Sequence, residues 1–210
     1  MTKIDFKKEY KNLYLPGKSD FEIVEVPAMQ FLMLEGQGDP NTAAAYQQAL
    51  EALYAVAYKL KFSSKKNLGK DYVVPPLEGL WWAEDMEAFT SMRDKDQWFW
   101  TMMILTPDWI TSEMFEETLT LIENGKQPPA ALGKLRFETY HEGVSAQILH
   151  IGSYDDEAPT LARLHHEWMP EHGYTFNGKH HEIYLSDPRR VAPEKLKTVL
   201  RQPVKKIQGS

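Results

Sequence analysis

FLMLEGQGDPNTAAAYQQALEALYAVAYKLKF, residues 31–62, passes from an apolar run through a Gly-Asp-Pro-Asn turn into a segment with Leu50, Leu53, Ala57 and Leu60 at helical spacing. AQILHIGSYDDEAPTLARLHHEWMPEHGYTF, residues 146–176, repeats that plan: apolar run, glycine turn, acids, helix. Registering Gly36 on Gly152 also sets Asp39 against Asp155 and Tyr58 against Tyr174. Asp39 or Asn41 suits the N-cap of the first helix, and Asp155, Asp156 and Glu157 suit the start of the second, where carboxylates meet unpaired amides and the helix dipole. Pro159 is tolerated there because its missing amide hydrogen would find no partner in a first turn. Two strand-like runs follow each helix: LEGLWWAED (77–85) and WFWTMMILTP (98–107), then KHHEIYLSDP (179–188) and LKTVLRQPV (196–204). The order predicts an α+β fold of tandem strand-helix-strand-strand modules. It forms a single domain over residues 1–210, with halves at about 20–125 and 133–207 and a helix from about Pro107 to Asn124 between them. Each half is expected to be a sheet with its helix on one face, leaving the other faces or the seam to form a cavity.

The 210 residues can bury a substantial core without disulfides or metals. The chain has no cysteine, which removes thiolate nucleophiles and zinc-thiolate sites and fits a cytoplasmic location. A formal net charge of −6 with no basic face argues against nucleic acid as a partner. No run approaches the ~20 apolar residues of a membrane span, and MTKIDFKKEYKNLY (1–14) lacks the apolar centre of a signal peptide. The terminal Gly209-Ser210 is left out of the fold argument.

Four stretches carry a resemblance to the GyrI-like small-molecule-binding family, in its stand-alone branch: KIDFKKEYKNLY (3–14), VPAMQFLMLEGQGDPN (26–41), PPLEGLWW (75–82) and HHEIYLSDPRRVAPEKLKTVLRQPV (180–204). The resemblance implies a pocket for bulky, aromatic or cationic organic molecules, with the glutamate of Glu-Ile-Tyr, Glu182, pointing into it. Some stand-alone members hydrolyse cyclopropane-bearing, DNA-alkylating natural products. About two dozen residues precede the first strand, too few for a helix-turn-helix module, so a transcription-factor role is not expected.

Period-two alternation puts His180, Glu182 and Tyr184 on one strand face and His181, Ile183 and Leu185 on the other, with the apolar pair toward a core. Alternation alone leaves Glu182 solvated or inside a cavity, and glutamate is seldom buried without a partner. The family resemblance selects the cavity. There Glu182 can serve as general base for water or as counter-charge for a cation, with Tyr184 or Tyr140 as proton donor. Trp98 and Trp100 share one face of their strand. Each tryptophan suits core packing as well as a ligand wall, but six in this length favour a wall, because aromatic faces hold flat or cationic ligands. Trp82, Trp100 and Trp98 are candidates, with Tyr140 and Trp168 from the second half. Tyr54 and Tyr58, four apart, read as core packing.

No metal or cofactor is expected. Around His165, His166 and His172 the spacing does not place two imidazoles on one helical face, and Pro170 is expected to end the helix between them. His180 and His181, adjacent on a strand, point to opposite sides. GlyGlnGlyAsp at 36–39 lacks the further glycine and lysine of a phosphate loop, and no serine-hydrolase elbow is present. Two functions remain open: a hydrolase acting through Glu182, or a non-catalytic module that sequesters or senses a drug or effector. A direct gyrase-inhibitor-type protein contact ranks behind both. The oligomeric state is left open.

Overall fold

The computed structural model describes residues 3–83 and 95–207. The end of the 77–85 run and Gly209-Ser210 therefore lie outside the described residues. Two long strands organise the fold, β1 (Glu22–Gln37) and, opening the second half, β4 (Arg136–Ile151). Each spends part of its length on the other and part on its own half. β1 pairs with β4 from Glu22↔Gln147 to Met33↔Arg136, and its end pairs with β3 (Phe99–Thr106). Beyond β3 come β2 (Leu77–Trp82), β6 (His180–Tyr184) and β7 (Lys197–Lys206), and β7 returns to pair with β4.

The two halves are thus not separate sheets. Six antiparallel strands in the order β4-β1-β3-β2-β6-β7 close on themselves, because both long strands overrun their own modules and bridge the seam. Closure leaves few unpaired strand edges. β5 (Tyr174–Phe176), a short strand beside the end of β7, was not foreseen in the sequence. β1 and β4 each end one residue before a glycine with positive φ, Gly38 and Gly152, so Gly38 rather than Gly36 is the counterpart of Gly152.

Gly36 has a different duty. It pairs with Trp100, and a Cβ on it would lie 2.2 Å from the indole, so only glycine lets that ring lie flat on β1.

The N-terminal arm forms two short helices, α1 (Phe6–Glu9) and α2 (Lys11–Tyr14), that bury Phe6, Leu13 and Tyr14. α3 (Ala44–Ser63) packs Leu53, Val56, Ala57 and Leu60 against the sheet. Its N-cap is Ala43, not Asp39 or Asn41. Asp39 builds the preceding turn instead, accepting the amides of Asn41 at its side chain and of Thr42 and Ala43 at its carbonyl. The inter-module helix α4 (Ser112–Glu123) starts later than expected from Pro107: the Thr111 side chain caps it by accepting the Met114 amide, and Ile110 is buried in the turn before it.

In the second half, Ser153 and Asp156 form a reciprocal capping box. α5 (Ala158–Arg163) follows, with Pro159 in its first turn as expected. A π turn over Leu164–Trp168 comes next, and Pro170 does not end the segment, which continues through Met169–Glu171. The π turn directs the Met169 amide five residues back to Leu164 O, a shift in the ladder next to which a residue without an amide hydrogen fits.

Candidate functional site

Strand register decides which side chains surround Glu182. Gly79 pairs with Glu182, Trp81 with His180 and with Trp100, and Leu77 with Tyr184. Directly paired residues share a face. Glu182, Tyr184, His180, Trp81 and Trp100 therefore face the same way, toward the side on which α3 lies.

The Glu182 side chain is 12% exposed. Tyr184 Oη donates to its Oε2 at 2.7 Å, Trp81 Nε1 donates to Tyr184 Oη at 2.9 Å, and His180 Nε2 lies 3.3 Å from Oε1. Gly79 makes this possible. A Cβ there would sit 2.8 Å from Trp81 Nε1, so the missing side chain is the space through which the indole folds back to reach Tyr184.

Aromatic rings cluster on Trp81 and Tyr184, the two side chains linked to the carboxylate. Tyr46 on α3 stacks on Trp81 at 6.3 Å and meets Trp100 edge-on at 5.3 Å. Trp98 stands edge-to-face with Trp81 at 5.8 Å, and Tyr154 stands edge-to-face with Tyr184 at 5.7 Å. Burial, then the charge of Glu182, raises the Tyr184 and Tyr46 phenols well above the usual tyrosine range. Burial, then Glu157 and Glu182, raises Tyr154 to about 12. All three stay protonated at neutral pH, and Tyr184 donates to the carboxylate.

The structure thus brings Glu182, Tyr184, Trp100 and Trp98 to one place and leaves three candidates elsewhere. Trp82 lies on the opposite face of β2, stacked on Phe99 with Lys179 Nζ 3.2 Å from its ring centre, so a cation of the chain itself already covers it. Trp168 belongs to a second core, stacked on His172 at 4.3 Å and on Tyr174 at 5.9 Å. Tyr140 feels Glu142 and Arg201 rather than Glu182, and burial first and Glu142 second raise it to about 12. Tyr54 and Tyr58 are not core residues: they are 37% and 48% exposed. Sequence reading missed Tyr46, Trp81, Tyr154 and His180. Alternation put His180 on the right face, but the partners across the sheet depend on a register that only long-range pairing sets.

The opposite face of β6 carries a second polar group. His181 lies 2.9 Å from Glu142 Oε1 through Nδ1 and 3.0 Å from Glu78 Oε2 through Nε2, and it is almost wholly buried. Arg201 Nη1 donates to Glu142 at 3.0 Å, its Nε to Gln147 at 3.0 Å and its Nη2 to Leu13 O at 2.6 Å. Tyr14 Oη donates to Glu78 at 2.7 Å, and Gln147 donates to Asn12 O at 2.6 Å. Burial works against a charged His181, but Glu142, then Glu78, prevail and raise it to about 9. Burial likewise opposes the Glu142 charge, and His181 and Arg201 overcome it, holding Glu142 at about 2. Two acids and two bases cancel, and their spare donors hold the backbone of the N-terminal arm. The group fastens that arm to the barrel.

Among the described residues no group of three His, Asp or Glu side chains suits a metal ion, and no helix is long and apolar enough to cross a membrane.

The model of the GyrI-like small molecule binding domain matches residues 19–205. No protein of curated function matches the sequence. Among solved structures, an uncharacterised conserved protein from Listeria innocua is 41% identical, with a TM-score of 0.87 over 97% of this chain and 100% of that one. A hydrolase from the same organism is 40% identical, with a TM-score of 0.85 over the same shares. The C-terminal domain of EcmrR, 13% identical, shares the fold with a TM-score of 0.55 over 90% of this chain and 98% of that one.

Proposed function

The chain belongs to the GyrI-like small-molecule-binding family, and on that premise we propose that it takes a bulky aromatic or cationic organic molecule against Glu182 and hydrolyses cyclopropane-bearing electrophiles there by adding water. One observation carries this reading. A nearly buried carboxylate, held at one oxygen by Tyr184, shares its sheet face with a connected cluster of Tyr46, Trp81, Trp98, Trp100 and Tyr154. The hydrolase of Listeria innocua, 40% identical, supports the catalytic part.

The aromatic walls position the ligand and exclude bulk water. Glu182 takes a proton from a water as the water oxygen bonds to a ring carbon of the ligand. The ring C–C bond breaks, its electron pair stays on the ligand, and the resulting anion is protonated, so the sum is addition of one water. Tyr184, kept neutral by its surroundings, holds the carboxylate in place by its hydrogen bond. The absence of cysteine fits a cytoplasmic setting.

The same carboxylate among aromatic rings also favours a second reading, in which the protein binds an organic cation without reaction. Titration with a flat aromatic cation such as ethidium, followed by tryptophan quenching, tests the pocket itself. Saturable quenching that Glu182→Gln weakens about tenfold is expected from the lost counter-charge. Quenching that does not saturate, or that Glu182→Gln leaves unchanged, rules the pocket out as a binding site for the cation.

A further inference from the structure

Tyr46, Leu50, Tyr54 and Tyr58 recur at every fourth residue of α3. Four residues overshoot one helical turn by about 40°, so the row winds around the helix from the sheet side toward solvent. Tyr46 and Leu50 are half-buried against the barrel core, with Tyr46 on Trp81 and Trp100. Tyr54 and Tyr58 are exposed, their ring centres 6.3 Å apart. Core packing accounts for the inner pair and not for the outer one.

Another ring arrives from the other side. Tyr154, in the turn Tyr154–Glu157 after β4, is 39% exposed and stands edge-on to Tyr184, the phenol that holds Glu182. Glu182, Tyr154 and Tyr54 all lie within electrostatic reach of Tyr46. Tyr54 and Asp187, in the loop after β6, act on Tyr154, and Asp187 and Arg189 act on Tyr54. Tyr54 and Tyr154 thus border the same opening above Glu182. Burial, then Tyr58, raises the Tyr54 phenol above its usual range, so like Tyr154 it stays protonated at neutral pH. Among the described residues neither hydroxyl has a hydrogen-bond partner. Asp187 is offset by Arg189, which donates to it through Nε at 2.9 Å and Nη2 at 3.0 Å.

Resting on the pocket reading above, we propose that Tyr54 and Tyr154 form an outer subsite over the Glu182 pocket, and that the site therefore selects elongated ligands of two parts. The inner part lies against Glu182. The outer part is a neutral, planar aromatic group bearing a carbonyl or similar acceptor. Its chemistry follows from what surrounds it. Two aromatic rings favour a flat partner. Two protonated phenols offer donors, so the group they recognise is an acceptor. The pairing of Asp187 with Arg189 leaves no charge there for a charged group to answer. The eight residues from Tyr46 to Tyr54 span about 12 Å of helix, so a ligand of one fused ring system fills only the inner part.

Probes of different length test the subsite by tryptophan quenching: N-methylacridinium, and the same cation extended through a short linker by a naphthamide. Wild type should bind the extended probe about tenfold more tightly. Tyr54→Ala and Tyr154→Ala should each weaken the extended probe about three- to tenfold and leave the short probe within about twofold. A third probe with naphthylmethyl in place of naphthamide lacks the acceptor. It should bind wild type more weakly than the naphthamide does, whereas the double variant Tyr54→Phe, Tyr154→Phe should bind the two alike. Equal affinity of wild type for the short and extended probes, or equal losses on both in the alanine variants, overturns the subsite while the pocket stands. Wild type binding the naphthylmethyl probe as tightly as the naphthamide overturns the acceptor assignment. Quenching that saturates with none of the probes overturns the pocket reading and the subsite with it.

Discussion

Tyr184 Oη donates its hydrogen to Glu182 Oε2 at 2.7 Å and itself accepts the Trp81 indole hydrogen at 2.9 Å. Removing that single oxygen leaves a carboxylate oxygen and an indole N–H unsatisfied in a buried place. Tyr184→Phe should therefore cost about 1–3 kcal/mol of stability, read from denaturant midpoints. It should also lower hydrolysis about tenfold or more, because Glu182 loses its anchor. Wild-type stability and turnover in this variant would show the bond to be incidental.

Gly79 and Gly36 are occupied by indoles instead of their own side chains. Gly36→Ala should destabilise by about 1–3 kcal/mol through overpacking against buried Trp100. Gly79→Ala should displace Trp81 and weaken ligand binding more than stability. Gly133, with nothing within 4 Å of an added Cβ, is the control whose alanine variant should behave as wild type. Equal effects at all three positions would contradict the packing argument.

The His181–Glu142 pair makes stability depend on pH in two directions. His181, raised from 6.5 to about 9, contributes stability that is complete below pH 6.5 and lost as pH rises through about 9. Glu142, lowered from 4.5 to about 2, contributes stability that is present above pH 4.5 and lost as pH falls through about 2. Denaturant midpoints should be highest between pH 4.5 and 6.5 and should fall on either side. In Glu142→Gln the alkaline fall should move to lower pH, since His181 loses its main support.

Arg201 links the buried ion group to Leu13 O. Arg201→Leu leaves Glu142 with less compensation and releases the arm, so a loss of about 3–5 kcal/mol is expected. Hydrogen exchange should accelerate first in residues 3–15, ahead of the barrel strands. Uniform acceleration throughout would mean that the group supports the barrel and not the arm in particular.

Much of this architecture is legible in local pattern. Residues 31–62 and 146–176 show the order of elements because turn glycines and helical spacing are local signals. Alternation also places Glu182 and Tyr184 on one face. Closure of the barrel is not local: it depends on β1 and β4 being long enough to pair with each other. The choice of Trp81 over Trp82 follows from one register, Gly79↔Glu182, which no short stretch encodes. His181 illustrates the same limit. Alternation sends it toward the core with Ile183, but Glu78, Glu142 and Arg201, which make that position tolerable, come from three other strands. Tyr54 and Tyr58 have core-like spacing, yet the helix face that carries them is only partly covered.

The most direct measurement is to incubate the purified protein, and Glu182→Gln beside it, with a cyclopropane-bearing alkylating agent and follow the compound by chromatography with mass detection. The account predicts a product heavier by one water, formed by the wild type and lost or strongly slowed in Glu182→Gln. A compound left unchanged by the wild type, or hydrated equally fast by both proteins, would contradict it.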